Sequence, residues 1–84
     1  MEEGKTGVFD ITLVKKKLIT EMLKEVCESL KERGYNPINQ IVGYLISGDP
    51  GYISSYQGAR DKIVELERTE IAAMVLEEYL KNIS

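Results

Sequence analysis

The chain has no histidine and no tryptophan, and only one cysteine, Cys27, among its 84 residues. Each absence removes a class of chemistry. Histidine is the side chain whose ordinary pKa places it at neutral pH, so its absence leaves no imidazole to activate a hydroxyl or a thiol. The same absence, with one cysteine, leaves no ligand set for a structural zinc. A single cysteine forms no intrachain disulfide, and a lone thiol fits a reducing cytoplasm. No apolar run reaches the ~20 residues of a membrane-spanning helix. The opening Met1-Glu2-Glu3-Gly4-Lys5 has no apolar core of a secretory leader. No glycine loop of the Gly-x-x-x-x-Gly-Lys type is present to cradle a phosphate. The glutamates stand among lysines on helical faces, where solvation is the default. These readings lead to a cytoplasmic protein that is not an enzyme, binds no metal or cofactor and does not insert into a membrane.

Basic side chains are also in the minority, 11 Lys and Arg against 14 Asp and Glu, for a net charge of −3. Binding nucleic acid through general electrostatics needs the opposite balance. The length allows one domain, and a domain this small buries a modest share of its surface. Oligomerisation is an ordinary remedy, and no disulfide or metal supplies another.

The most informative stretch runs from Gly34 to Pro50, GYNPINQIVGYLISGDP. It reads as a short helix with its punctuation on both sides. Gly34 can take the left-handed conformation that ends a preceding helix. Asn36 is a good N-cap and Pro37 suits the first helical position, where its missing N–H is not needed. Gly48 closes the helix, and Asp49-Pro50 repeats the cap-plus-proline start. Ile38, Ile41, Val42, Leu45 and Ile46 cover most of the circumference, which predicts burial on nearly every side and a fold organised around this helix. Asn39 and Gln40 should then find hydrogen-bond partners. Gly43, unfavourable inside a helix by about 1 kcal/mol, either admits a neighbouring helix backbone or makes room for a bulky ring.

Around this centre, residues 1–8 form a polar tail expected to be flexible, and residues 9–84 a single helical domain. Phe9, Ile11 and Leu13 alternate with Asp10 and Thr12, which predicts an extended arm laying Phe9 and Ile11 against the body. Residues 15–33 form an amphipathic helix, with Leu18, Ile19, Met22, Leu23, Val26 and Leu30 on one stripe. Cys27 sits at the edge of that stripe as a small apolar filler. Residues 54–58 are irregular, and 59–66 are helical with Ile63 and Leu66 inward. A break is expected near Glu67-Arg68, with Thr69 as the next N-cap; one continuous helix over 59–82 is the alternative. The last helix carries Ile71, Ala72, Val75, Leu76, Tyr79, Leu80 and Ile83. So wide a stripe predicts that it covers the core and also meets a second copy. The expected architecture is all-α, a compact bundle of about four to five short helices, homodimeric, with Ile41, Leu45, Ile71, Val75 and Tyr79 at the interface.

Two neighbouring helices joined by Gly34-Tyr35 also fit a helix-turn-helix outline, so a small nucleic-acid-binding protein is the alternative function. The would-be recognition helix, however, offers isoleucine, valine and leucine where base readout needs polar and cationic side chains.

The central stretch, continued by Tyr52-Ile53, Ala59-Arg60 and Glu67-Arg68-x-Glu70-Ile71, resembles the IreB family of small regulatory phosphoproteins of Gram-positive bacteria. The likeness runs from about Phe9 to Leu80. It implies an all-helical homodimer with an N-terminal tail. It also implies phosphorylation by a membrane-anchored Ser/Thr kinase with PASTA repeats, reversal by a partner phosphatase, and an influence on cell-envelope synthesis. In some members that influence runs through Clp-dependent degradation of the first committed enzyme of peptidoglycan precursor synthesis, which implies a downstream regulatory protein or protease adaptor as partner. The family's acceptor is a tail threonine just before the aromatic residue that leads into the body; Thr6, in Lys5-Thr6-Gly7-Val8-Phe9, holds that place, with Thr12 the rival. The family is richer in arginine around Ala59-Arg60 than this chain, which has Ser54, Ser55, Val64 and Glu65 there. Arg60 and Arg68 remain as candidates for binding a partner or the phosphate, or else as ordinary members of surface ion pairs with Asp61, Glu65 or Glu67.

Overall fold

In the computed structural model, residues 11–84 are described; the tail, Thr6 and Phe9 fall outside them. Four α-helices follow in order among the described residues: α1 (Leu13–Glu32), α2 (Pro37–Ser47), α3 (Ala59–Ile63) and α4 (Arg68–Ile83). Two single 3-10 turns, Pro50–Tyr52 and Tyr56–Gly58, lie between α2 and α3. The described residues contain no strand, so the fold is all-α as the sequence predicts.

The helix ends follow their sequence signals closely. Thr12 caps α1, its hydroxyl accepting from the Lys15 N–H at 3.2 Å. At the other end Gly34 takes φ +81°, and the Gly34 and Tyr35 N–H groups reach back to the Lys31 and Leu30 carbonyls, each at 2.9 Å. That paired return closes the last turn and satisfies two carbonyls that would otherwise lack partners. The Asn36 side chain accepts from Asn39 N–H at 3.2 Å, with Pro37 in the first turn of α2. Asp49 repeats the arrangement, accepting from Gly51 N–H at 2.9 Å.

The core is built from α1 and α3, and here the structure departs from the sequence reading. Ile19, Val26 and Leu30 of α1, Ala59 and Ile63 of α3, and the flanking Ile53, Leu66 and Ile71 are all buried. From α2 only Tyr44 is buried. Ile38 and Ile46 are 72% and 80% exposed, and Val42 is also open to solvent. The expectation of a helix buried on every side is therefore corrected. The fold is centred on the 20-residue α1, whose length lets it collect contacts from elements on either side; α2 is laid against that body by one edge. Apolar residues all round a helix require cover, and within one copy of this chain α2 does not receive it.

The break before α4 is present, so the continuous helix is excluded. After Ile63 the backbone tightens, with Glu65 N–H bonded to the Lys62 carbonyl and Leu66 N–H to the Ile63 carbonyl. Leu66 is buried by this turn. Helix α4 begins at Arg68, with Glu67 in the cap position. Thr69, expected as the cap, lies one residue inside it.

Gly43 admits a ring and not a helix. A methyl group built on it would stand 2.5 Å from Cδ1 of Tyr52, whose ring lies across the glycine. Replacing Gly43 with alanine favours the helix by about 1 kcal/mol but must push the ring away. In a Tyr52→Ala background, Gly43→Ala should therefore stabilise the fold by about that amount. With Tyr52 present the gain should vanish or reverse. Urea unfolding of the four variants of the double-mutant cycle measures the difference, and strict additivity would contradict this packing.

Candidate interaction surface

The connection from Gly48 to Gly58 is held by side chains from three helices, Arg60 among them, and Arg68 braces the end of α2 just ahead of it. Arg60 donates through Nε to the Ile53 carbonyl at 2.8 Å. Arg68 reaches across from α4 and donates through Nη1 to the Leu45 carbonyl at 2.9 Å, in the last turn of α2. A cation at that end meets carbonyls left free by the helix and the negative end of its dipole. Gly48 serves this contact twice. It takes φ +77° as the left-handed closing residue, and a side chain there would stand 2.9 Å from the Arg68 guanidinium carbon. Gln40 accepts from Ser54 N–H at 2.9 Å, which supplies the partner expected for this residue on α2; the Asn39 side chain lies on the exposed side.

Further along, Ser29, buried in α1, donates from Oγ to Oε1 of Gln57 at 3.2 Å. Gln57 sits at φ +52°, a left-handed conformation uncommon for a residue with a side chain. The Arg33 guanidinium lies 4.8 Å from the centre of the Tyr56 ring, a cation–π contact from the end of α1 to the same segment. Arg60 and Arg68 are thus braces of the fold, a role that neither surface pairing nor phosphate docking anticipates. Each makes one described bond to a carbonyl, and a guanidinium has five N–H donors.

The expected interface residues separate into two groups. Ile71 is fully buried within its own chain, so it has no surface to give a partner; it belongs to the core, a correction to the sequence reading. Ile41 and Leu45 are partly buried at the edge of the core. Val75 and Tyr79 are exposed, at 52% and 62%, as are Leu76, Leu80 and Ile83 beyond them. The sequence reading did not assign surface exposure to Leu13 and Val14, which are 81% and 79% exposed on the first turn of α1. Their signal was Thr12, which caps the helix two residues earlier than the apolar stripe suggests. Between α1 and α4 stand two ion pairs, Lys15–Glu70 at 3.0 Å and Lys16–Glu77 at 3.1 Å. Both are open to solvent and worth little to stability by themselves.

Two shallow grooves mark the surface. One, of about 570 Å³, runs along α4 between Thr69, Ala72, Ala73, Leu76, Glu77 and Leu80. The other, of about 560 Å³, lies where α1 gives way to α2 and includes Cys27 and Tyr35. Burial pushes the Cys27 thiol above its ordinary pKa, partly opposed by Lys31 and reinforced by Glu28. A raised pKa keeps the thiol protonated at neutral pH, the reverse of what a nucleophile needs. No described helix is long and apolar enough to cross a membrane. Taken together, the arrangement offers docking faces of helix surface and no catalytic constellation among the described residues.

Residues 4–81 match the family described as IreB regulatory phosphoprotein. The chain belongs to the IreB family. The match spans nearly the whole sequence, so the four-helix body described above is the family's domain in this chain. A regulatory role follows from membership, and the stretch GYNPINQIVGYLISGDP within the match takes on a structural meaning. Its glycines and caps shape both ends of α2, and Gly48 provides the seat of Arg68.

The Arg68 contact has a measurable consequence. Arg68→Ala removes a charged donor from the end of α2 and should lower stability by about 1 kcal/mol in urea unfolding. Arg68→Lys keeps a cation there and should lose less. If both variants match the wild type, the contact does not brace the fold.

Proposed function

We propose that this chain is a non-enzymatic cytoplasmic regulator switched by phosphorylation at Thr6, the substrate of a PASTA-type Ser/Thr kinase and its phosphatase. Its output is a protein–protein contact that modulates cell-envelope synthesis at the level of peptidoglycan precursors. The family's connection with Clp-dependent proteolysis makes a protease adaptor or its target the first partner to seek. The observation that carries this reading is the IreB match over residues 4–81.

The described threonines support Thr6 by their placement. Thr12 is engaged as the cap of α1, Thr20 donates to the Lys16 carbonyl within the helix, and Thr69 lies in the first turn of α4. Thr6 stands outside the described residues, six positions ahead of the cap. A phosphate there adds about −1.5 to −2 charges to a segment where Glu2 and Glu3 face one cation, Lys5. Arg60 and Arg68, with donors beyond those bonded to carbonyls, are the proposed contacts for the phosphate or for a partner.

A homodimer is part of the same proposal. The exposed apolar faces of α2 and α4, including Val75 and Tyr79, are large for a chain of 9.5 kDa, and such surface in a small soluble domain marks an interaction site. Light scattering at micromolar concentration should give about twice the mass of the chain, and a mass near 9.5 kDa would refute the dimer.

The acceptor is tested separately. Thr6→Ala should remove most labelling by the cognate kinase while leaving the melting temperature unchanged. Labelling equal to wild type would move the switch to Thr12 or elsewhere. Loss of labelling together with a much lower melting temperature would make Thr6 a structural residue.

A further inference from the structure

Among the described residues Gln57 is the one residue other than glycine with a left-handed backbone, at φ +52° and ψ +31°. Gly58 follows at φ +73°, so two successive left-handed residues turn the chain into α3. A side chain makes that conformation unfavourable at 57 and its absence makes it free at 58. Strain of this kind persists where the surroundings impose it, and α1 supplies them. Ser29, 5% exposed, donates from Oγ to Oε1 of Gln57 at 3.2 Å. Nε2 of the same carboxamide stands 3.4 Å from the Tyr56 hydroxyl. Arg33, one helical turn beyond Ser29, lies over the Tyr56 ring at 4.8 Å. The Gln57 side chain thus links a buried hydroxyl to an exposed cation–π pair.

We propose that Ser55–Gly58 is a latch with two backbone positions, and that the Ser29–Gln57 bond is the catch that holds the strained one. Glycine at 57 would take the left-handed turn freely but would have no side chain to reach Ser29. Glutamine takes the strain and makes the bond. One neutral hydrogen bond and one left-handed residue with a side chain are of comparable and opposite weight, so a modest competing contact tips the balance. Gln57 is exposed, and a partner group reaches its carboxamide directly from solvent. With the catch released, residue 57 relaxes to the right-handed region and the Tyr56 ring leaves Arg33. An aromatic ring and a guanidinium are then presented to a partner together. The ends of the latch stay fixed. Ser54 N–H is bonded to Gln40, the Ile53 carbonyl accepts from Arg60, and Ile53 and Ala59 are fully buried. The movement is therefore confined to the turn and leaves the core in place.

The latch requires neither a phosphate nor a second copy, so it stands or falls separately from the regulatory reading. Amide hydrogen exchange of the full chain, followed by NMR and corrected for intrinsic rates, tests it. The reporters are the Gly58 and Ala59 amides, which are bonded to the Ser55 and Tyr56 carbonyls within the turn. Gln57→Ala keeps the strain and loses the catch, so protection of both amides should fall by about five- to tenfold. Ser29→Ala should act in the same direction. Gln57→Gly loses catch and strain together, and its protection should stay near that of the wild type. Protection at Leu30 in α1 and at Leu66 after α3 should be unchanged in all three variants, because opening is local. Unchanged protection at Gly58 and Ala59 in Gln57→Ala and Ser29→Ala would overturn the catch. An equal fall in Gln57→Gly and Gln57→Ala would overturn the strained position. A fall shared by Leu30 and Leu66 would show a loss of global stability and overturn the latch as well.

Discussion

The packing of α3 on α1 is the contact on which the rest of the structure depends. Five residues make little more than one helical turn, and so short a helix does not persist in water by itself. Ala59 and Ile63 are nonetheless fully buried, in one core with Ile19, Val26 and Leu30 of α1. Once α3 is docked, the chain before it must return from the far end of α2, and the chain after it must turn at Leu66 to begin α4. The Lys62–Glu25 pair at 3.3 Å decorates this contact, but it is exposed, and the apolar side chains beneath carry the energy.

That return path explains the arginines. The segment from Gly48 to Gly58 has no long helix or strand to satisfy its backbone, so side chains from the neighbouring helices bond to it: Gln40, Arg60 and Ser29, with Arg68 at the end of α2. Long side chains that reach several residues away can hold an irregular segment without filling the core. A cation committed in this way is also positioned. Its remaining donors are presented at a fixed place on the surface, and pre-organised guanidinium groups lose less entropy on binding an anion than free ones. Bracing and docking are therefore compatible roles for the same residue.

Much of this was legible in the sequence wherever a local rule decides the outcome. Gly34, Asn36-Pro37, Gly48 and Asp49-Pro50 mark the ends of α2 and the turn that follows, because caps and left-handed glycines act over two to five residues. The amphipathic stripe of α1 was equally plain, as was the break before Arg68. What failed was the inference from composition to burial. Ile38, Val42 and Ile46 are as apolar as any core residues, and nothing in their spacing says whether the cover comes from the same chain or from another. The same ambiguity placed Ile71 at an interface when it is part of the core. The bracing by Arg60 and Arg68 was hidden for a different reason. Their partners are backbone carbonyls, at Ile53 and Leu45, and every residue carries one, so sequence alone singles out none of them.

The surface that results is unusual for so small a body. Leu13, Val14, Ile38, Ile46, Leu76, Tyr79 and Ile83 are each more than half exposed. They lie on three different helices, so no single rotation of one element would hide them. Scattered exposed leucines are normal in proteins, but stripes along α2 and α4 are not scattered. In a domain whose core is limited by its length, apolar surface left outside costs solubility unless it has a use. The proposed partner contact would supply that use, with the side chains exposed on these helices as its faces. The well-capped helices and the braced connection between them then hold these faces in fixed register with one another.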